Sequence, residues 1–254
     1  MLLQDWMSLM EQIAPNELAA DFDNVGLVIG TDREEIRSVL VALDCTAAVA
    51  EEAVERDVDL VLTHHPLFFE GVKRILPGDP DTAAAYTLIR HGIGLFSAHT
   101  NLDAAQGCVN DVLCRLLGLA EVEPLPPDGL GRIGRVQGMT GLFDFSRRTA
   151  RLLGAQVRFT GDPQSIVRRV CVVGGSWNAG VQQAAVCGAD TYVTGELKHD
   201  AAIRAQHLGV NCVVAGHYES EAVVLQPLIE RLQSLGNGVQ YQLALAGRSP
   251  FLSA

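Results

Sequence analysis

An internal repeat constrains the fold of this 254-residue chain more than any other feature. Residues 37–65 align without a gap to residues 168–196, so that Asp59 matches Asp190 at an offset of 131 residues. Each stretch has an apolar run, a helical segment and a second apolar run that stops abruptly. Another helix and another strand follow each stretch. The repeat therefore predicts two β-α-β-α-β halves built on one plan.

This pattern predicts an α/β fold. Crossovers between parallel strands are right-handed and lay helices over the sheet, so we expect two similar lobes of mainly parallel sheet flanked by helices. The length is sufficient for two domains. The acidic, proline-rich segment 121–129 is the best candidate for a linker. We therefore predict lobes at residues 1–125 and 126–254.

The second strand of the first half ends at Thr63-His64-His65-Pro66. Proline cannot donate a hydrogen bond to a neighbouring strand, so the strand stops there and the histidines lie in a loop. Open α/β sheets bind their ligands at the carboxyl ends of such strands. Taken alone, an adjacent histidine pair is more often one packed and one solvated side chain than a functional site. The residues at the other strand ends must therefore distinguish these two interpretations.

Histidines and carboxylates follow the other strands of the repeat as well. The strand ends carry, in chain order, His64 with His65, His99 with Asp103, Glu196 with His199, and His217 with Glu221. Five of the seven histidines belong to this set. Imidazoles and carboxylates are the ligands of zinc, iron, manganese or nickel, and the absence of a CxxC pair disfavours a closed structural zinc site.

The residue types are compatible with two metal ions. Neighbouring side chains on a strand point to opposite faces, but His64 and His65 in a loop could serve one ion each. Asp103 and Glu221 would then bridge two ions about 3.5–4 Å apart, as in catalytic two-metal sites.

Three further residues are pocket candidates. His99 is equally compatible with a role behind the ligands and with a place in the core. Glu196 and His199 fit the lining of a pocket and a solvated strand end equally well.

Composition excludes several other classes of function. The net charge is −11 and no lysine- or arginine-rich run occurs, which disfavours extended nucleic-acid binding. The apolar runs are too short to span a bilayer, so no membrane association is expected. A local site for a small-molecule substrate remains compatible with this net charge. The first residues carry acid and no basic run, so we predict no signal peptide and a cytoplasmic location.

Six motifs then connect the chain to a known family. They are Asp23-Asn-Val-Gly-Leu27, Thr63-His-His-Pro-Leu-Phe68, His99-Thr-Asn-Leu-Asp-Ala-Ala105, Gly131-Arg-Ile-Gly134, Thr194-Gly-Glu196 and Gly216-His-Tyr-Glu-Ser-Glu221. In this order they closely resemble the Nif-three-like dinuclear metal proteins, named as GTP cyclohydrolase 1 type 2 homologues. The resemblance implies a ring-shaped homohexamer with its metal sites facing an internal cavity. It also implies two divalent ions per chain, held by His64, His65, Asp103, His217 and Glu221.

Together these observations predict a first lobe with the His-His metal loop and a second lobe that returns His217 and Glu221 to the metal site. The predicted function is metal-dependent hydrolysis of a nucleotide-like small molecule, in the manner of a GTP cyclohydrolase. Two alternatives stay open: a phosphoesterase acting on another metabolite, and a non-catalytic protein that stores metal or holds it for assembly.

Overall fold

A computed structural model describes residues 1–252 of the chain. The strands are β1 (Gly26–Ile29), β2 (Ser38–Ala42), β3 (Leu60–Thr63), β4 (Gly94–Ser97), β5 (Leu119–Pro124), β6 (Arg132–Gly141), β7 (Arg158–Thr160), β8 (Ile166–Ser176), β9 (Thr191–Glu196), β10 (Asn211–Val214) and β11 (Gln240–Leu243). The α-helices are α1 (Leu3–Ile13), α2 (Ala47–Glu55), α3 (Ala83–Arg90), α4 (Thr100–Ala104), α5 (Val109–Leu116), α6 (Leu142–Leu153), α7 (Gly180–Val186), α8 (His199–His207), α9 (His217–Glu221) and α10 (Leu225–Ser234). Short 3₁₀ turns occupy Asn16–Leu18 and Ala222–Val224.

The chain forms two compact units, each built on one sheet. Unit 1 comprises Met1–Ala105 and Leu225–Arg248, and its five strands lie in the order β1-β4-β3-β2-β11. Unit 2 comprises Gln106–Val224 with the described residues from Ser249 on, and its six strands lie in the order β5-β6-β8-β9-β10-β7. The predicted α/β class is confirmed.

Strand register confirms the internal repeat. In unit 1, β2 pairs in parallel with β3 and β3 with β4, and an antiparallel edge strand, β1, pairs with β4. In unit 2, β8 pairs in parallel with β9 and β9 with β10, and the antiparallel edge strand is β7. Val39 lies opposite Leu60 and Val170 lies opposite Thr191, so the offset of 131 residues holds for the pairing itself.

The repeat extends to one side-chain contact in each unit. Asp59 Oδ2 accepts hydrogen bonds from the backbone N–H groups of Arg37 and Ser38, at 2.7 and 3.0 Å. Asp190 Oδ2 accepts from the equivalent groups of residues 168 and 169, at 3.0 and 2.8 Å. In both units the carboxylate ties the start of one strand to the start of the next.

The two sheets differ in the strands that complete them. The C-terminal strand β11 joins unit 1 in parallel with β2. In unit 2, β6 and β5 extend the sheet with antiparallel pairing, and β5 contains residues that the sequence predicts as linker. The predicted division of the chain into lobes at residues 1–125 and 126–254 remains a prediction.

Alternating side chains cover both faces of the unit 2 sheet. Cys171 and Val173 belong to one apolar cluster, whereas Val170 and Val172 belong to another on the opposite face. In unit 1 the short strands β3 and β4 are buried along their whole length. Burial of each leucine or valine contributes about 1.5–3 kcal/mol, so the strands form rigid supports for the loops at their carboxyl ends. Among residues 1–252, no helix combines the length and apolar character needed to cross a membrane.

Candidate metal centre

The loop after β3 positions the predicted histidine pair. His64 N and His65 N donate to the carbonyl oxygens of Ala42 and Leu43, at 3.3 and 2.9 Å, so the backbone pairing with the neighbouring strand continues past β3. Thr63 Oγ1 donates to His65 O at 2.8 Å and turns the chain back on itself. His64 is buried and His65 is partly exposed. The loop is therefore held by hydrogen bonds at each residue.

Hydrogen bonds also set the ring orientation of both histidines. His64 Nδ1 lies 2.9 Å from Ala98 O, and a carbonyl only accepts, so Nδ1 carries the proton and Nε2 the lone pair. His65 Nδ1 lies 2.7 Å from Asp44 Oδ1, which favours the same tautomer. Metal-binding histidines commonly donate their second ring nitrogen to a carbonyl or carboxylate in this way. Both rings are thus arranged to offer Nε2 to a cation.

Asp103 and His99 lie beside this pair in unit 1. Asp103 is a buried residue of α4, and its Oδ1 lies 3.6 Å from His64 Nε2. Single ring nitrogens of His64, His65 and His99 lie within 4.8 Å of one another. Unit 1 thus brings together four of the residues that the sequence singled out, three imidazoles and one carboxylate.

A buried carboxylate that the sequence reasoning missed anchors His99. Both oxygens of Asp23 lie 3.0 Å from His99 Nδ1, and Thr100 donates to Asp23 from its backbone N–H, at 3.0 Å, and from its hydroxyl. Burial of Asp23 opposes ionisation, but the hydrogen bonds from His99 and Thr100 outweigh it and hold its pKa well below the usual range. Asp23 lies in the first of the six motifs, which was the available signal.

Unit 2 places His217 and Glu221 on one short helix. The helix α9 begins at His217 and ends at Glu221, so the two side chains lie one turn apart within it. His217 Nε2 lies 3.2 Å from Glu221 Oε2, and His217 Nδ1 lies 3.4 Å from Glu196 Oε1 at the end of β9. Glu221 is buried, and Glu196 is about half exposed. Glu196 thus lies beside the predicted ligands of its unit.

Backbone groups at the end of β8 support this helix. Ser220 Oγ accepts from Gly175 N at 3.0 Å and donates to His217 O at 2.9 Å. Gly175 has a φ of +61°, and a Cβ there would overlap Glu221 Oε1. The absence of a side chain at this position makes room for the carboxylate. Sequence reasoning missed the role of Gly175, because it acts through contacts with residues distant in the chain.

His199 lies apart from these contacts. It is an exposed residue in the first turn of α8. Its predicted role in lining a pocket stays a prediction.

The donor atoms of each unit fit a divalent transition metal. Unit 1 offers imidazoles whose Nδ1 atoms each face an acceptor, beside a buried carboxylate, and unit 2 offers an imidazole between two carboxylates. Nitrogen and oxygen donors without thiolates suit zinc, iron, manganese or nickel and do not discriminate among them. Fold and donor set together define an α/β protein with a candidate metal-binding cluster.

Comparison with known proteins identifies the family. The chain belongs to the Duf34/NIF3 (NGG1p interacting factor 3) family, whose model matches residues 1–246. It is 33% identical to a GTP cyclohydrolase 1 type 2 homolog of Clostridium perfringens, over 99% of each chain. A Staphylococcus aureus hypothetical protein of known structure is 29% identical, with a TM-score of 0.92 over 100% of this chain and 99% of that one. A Bacillus cereus protein related to NIF3 has the same TM-score at 24% identity, with 99% and 98% covered, and supports the fold alone. The resemblance found in the sequence is confirmed.

Proposed function

We propose that this protein binds two divalent transition-metal ions through His64, His65, Asp103, His217 and Glu221. We further propose that it is a hydrolase acting on a nucleotide-like small molecule. The observation that carries the proposal is the orientation of the histidine pair, because His64 and His65 are both held at Nδ1 by an acceptor. Each histidine thereby uses the Nδ1 proton in a hydrogen bond to the protein, an arrangement that is typical of histidines that bind a metal ion through Nε2.

The chemistry follows from the donor set. Divalent cations held by these residues would supply Lewis acidity and would lower the pKa of water toward neutrality. Ala98 O and Asp44 keep the histidine pair in the binding tautomer, while Glu196 is close enough to His217 to do the same in unit 2. Histidines that bind metal must be neutral and cannot also transfer protons. Because metal binding requires deprotonated ligands, any activity is expected to be lost in acid together with the metal.

The printed names of relatives suggest the substrate class. The Clostridium perfringens relative is named a GTP cyclohydrolase 1 type 2 homolog. By analogy we propose a purine nucleotide or a related metabolite, with hydrolysis at an electrophilic carbon or phosphorus.

We also propose that the chain works in the cytoplasm as a closed homohexamer. The family resemblance is the main support. Unit 1 adds apolar surface, because Phe69, Val72, Ile75 and Leu76 on one loop are exposed. Exposed apolar side chains grouped in this way are typical of protein interfaces. Light scattering at micromolar concentration is expected to give six times the mass of the 27.2 kDa chain, and a monomer would contradict the proposal.

The deciding experiment combines elemental analysis with a metabolite hydrolysis screen. Wild-type protein purified without chelator is expected to carry close to two ions per chain and to hydrolyse at least one nucleotide-like compound. His65→Ala is expected to lose metal and turnover together. One ion or none after full reconstitution would contradict a dinuclear centre. A loaded protein inactive on the whole panel would favour metal storage, and full turnover by His65→Ala would show that the metal is not catalytic.

A further inference from the structure

His99 lies where a third imidazole of the unit 1 cluster would be expected. It lies between β4 and α4, two residues after the end of β4, and its ring centroid lies 5.1 Å from that of His64 and 5.5 Å from that of His65. A ring nitrogen of each histidine lies within 4.8 Å of the others, close enough for one cation to contact all three. His99 is not among the five ligands that the resemblance implies.

Asp23 fixes the tautomer of His99. The carboxylate is buried and accepts hydrogen bonds from the backbone N–H and the hydroxyl of Thr100, so it acts as an acceptor. His99 Nδ1 must therefore carry a proton, and Nε2 carries the lone pair. Asn24 Nδ2 donates to Phe68 O at 2.7 Å, so adjacent residues of one turn hold both the loop after β4 and the loop after the histidine pair. The first of the six motifs thus supports both loops.

The internal repeat gives an independent argument. His99 and His217 each follow the third parallel strand of their unit, and each precedes a carboxylate by four residues, Asp103 and Glu221 respectively. Each also has a carboxylate at Nδ1, at 3.0 Å from Asp23 in unit 1 and at 3.4 Å from Glu196 in unit 2. His99 is therefore the counterpart of a proposed ligand in the internal repeat, and each of the two histidines has a carboxylate near Nδ1.

We propose that His99 binds the metal centre through Nε2 as a third imidazole from unit 1, and that Asp23 is the residue that positions it. The inference rests on the metal binding proposed above. It increases the number of protein ligands from five to six. It also gives the Asp23-Asn24 turn a function in metal binding.

Cobalt binding tests the proposal without any substrate. His99→Gln preserves an amide that can donate to Asp23 but removes the imidazole, so it separates ligation from support of the loop. We expect it to weaken Co²⁺ and Zn²⁺ binding at least about tenfold in chelator competition and to change the visible Co²⁺ spectrum. Asp23→Asn is expected to weaken binding less. His91→Gln, at the exposed end of α3 in the same unit, is the matched control and is expected to bind as wild type.

A second variant tests ligation directly. Adding imidazole to His99→Gly is expected to restore the wild-type Co²⁺ spectrum, which a purely structural role would not produce. Wild-type affinity and an unchanged spectrum in His99→Gln would overturn the inference, while loss of metal in His65→Gln in the same series would leave the proposed metal centre standing. A wild-type chain that binds no Co²⁺ would overturn both.

Discussion

Gly175→Ala tests whether Glu221 needs the space that a glycine provides. The new Cβ would overlap Glu221 Oε1 and lie 3.0 Å from Cδ of the same side chain and 3.1 Å from His217 Nε2. Ordinary contacts begin at 3.4 Å, so the carboxyl carbon must move by at least 0.4 Å, the difference between 3.4 and 3.0 Å. Metal sites tolerate changes of only about 0.2 Å in ligand distance.

The expected result is a large loss of metal affinity at a modest cost in stability. The side-chain end of Glu221 can swing away, so the backbone need not shift. Alanine at the left-handed φ of Gly175 costs about 1–2 kcal/mol in the free energy of unfolding. Displacement of a proposed ligand is expected to weaken zinc binding by at least about 10–100-fold.

Gly188→Ala is the matched control for backbone strain. Gly188 also lies in unit 2, its φ is +71°, and a Cβ there would meet nothing within 4 Å. Both variants are expected to lose similar stability in urea unfolding of the chelator-treated protein, but only Gly175→Ala is expected to lose zinc affinity in calorimetry or chelator competition. Equal zinc affinity in the two variants would refute the assignment of Glu221 as a ligand.

Three further predictions follow from the described contacts. His64→Ala and Glu221→Ala are each expected to lower the metal count per chain without unfolding it, because His64 lies in a loop and Glu221 at the end of the short helix α9, and neither belongs to the apolar clusters described above. Elemental analysis and circular dichroism would show this, and a normal metal count in either variant would contradict the ligand set. Asp59→Ala is expected to lower the free energy of unfolding, measured in urea, by about 2–4 kcal/mol, because two backbone N–H groups and Arg33 lose their acceptor. Asp190→Ala, at the more exposed equivalent position, is expected to lower it less. A larger loss in Asp190→Ala than in Asp59→Ala would contradict this reasoning. The pKa of Asp23 is depressed in the folded state, so the stabilisation by its carboxylate is fully present above the unfolded pKa of about 3.9 and declines as the pH falls toward the folded pKa. The difference in free energy of unfolding between chelator-treated wild type and Asp23→Asn is therefore expected to be constant above about pH 5 and to shrink below about pH 4. A difference that grew in acid would contradict this prediction.

Local sequence patterns were sufficient for the repeat and for much of the site. Apolar runs bounded by turn residues predicted the parallel strands, and because one offset aligned both halves, the register of β2 with β3 predicted that of β8 with β9. Proline after the histidine pair located the loop. His217 and Glu221 have the i, i+4 spacing of helix neighbours, and α9 places both on one helix turn.

Only the tertiary structure decided the contacts between distant segments. Asp23 reaches His99 across 76 residues of chain, and the C-terminal strand β11 joins the sheet of the first unit. Gly175 acts through Glu221, 46 positions further along the sequence. Periodicity and turn residues report the local preferences of the backbone, whereas these contacts depend on which buried surfaces and hydrogen-bonding groups meet when the sheets assemble. These contacts form only in the packed chain, because each buried polar group finds its hydrogen-bonding partner only when the distant segment is in place.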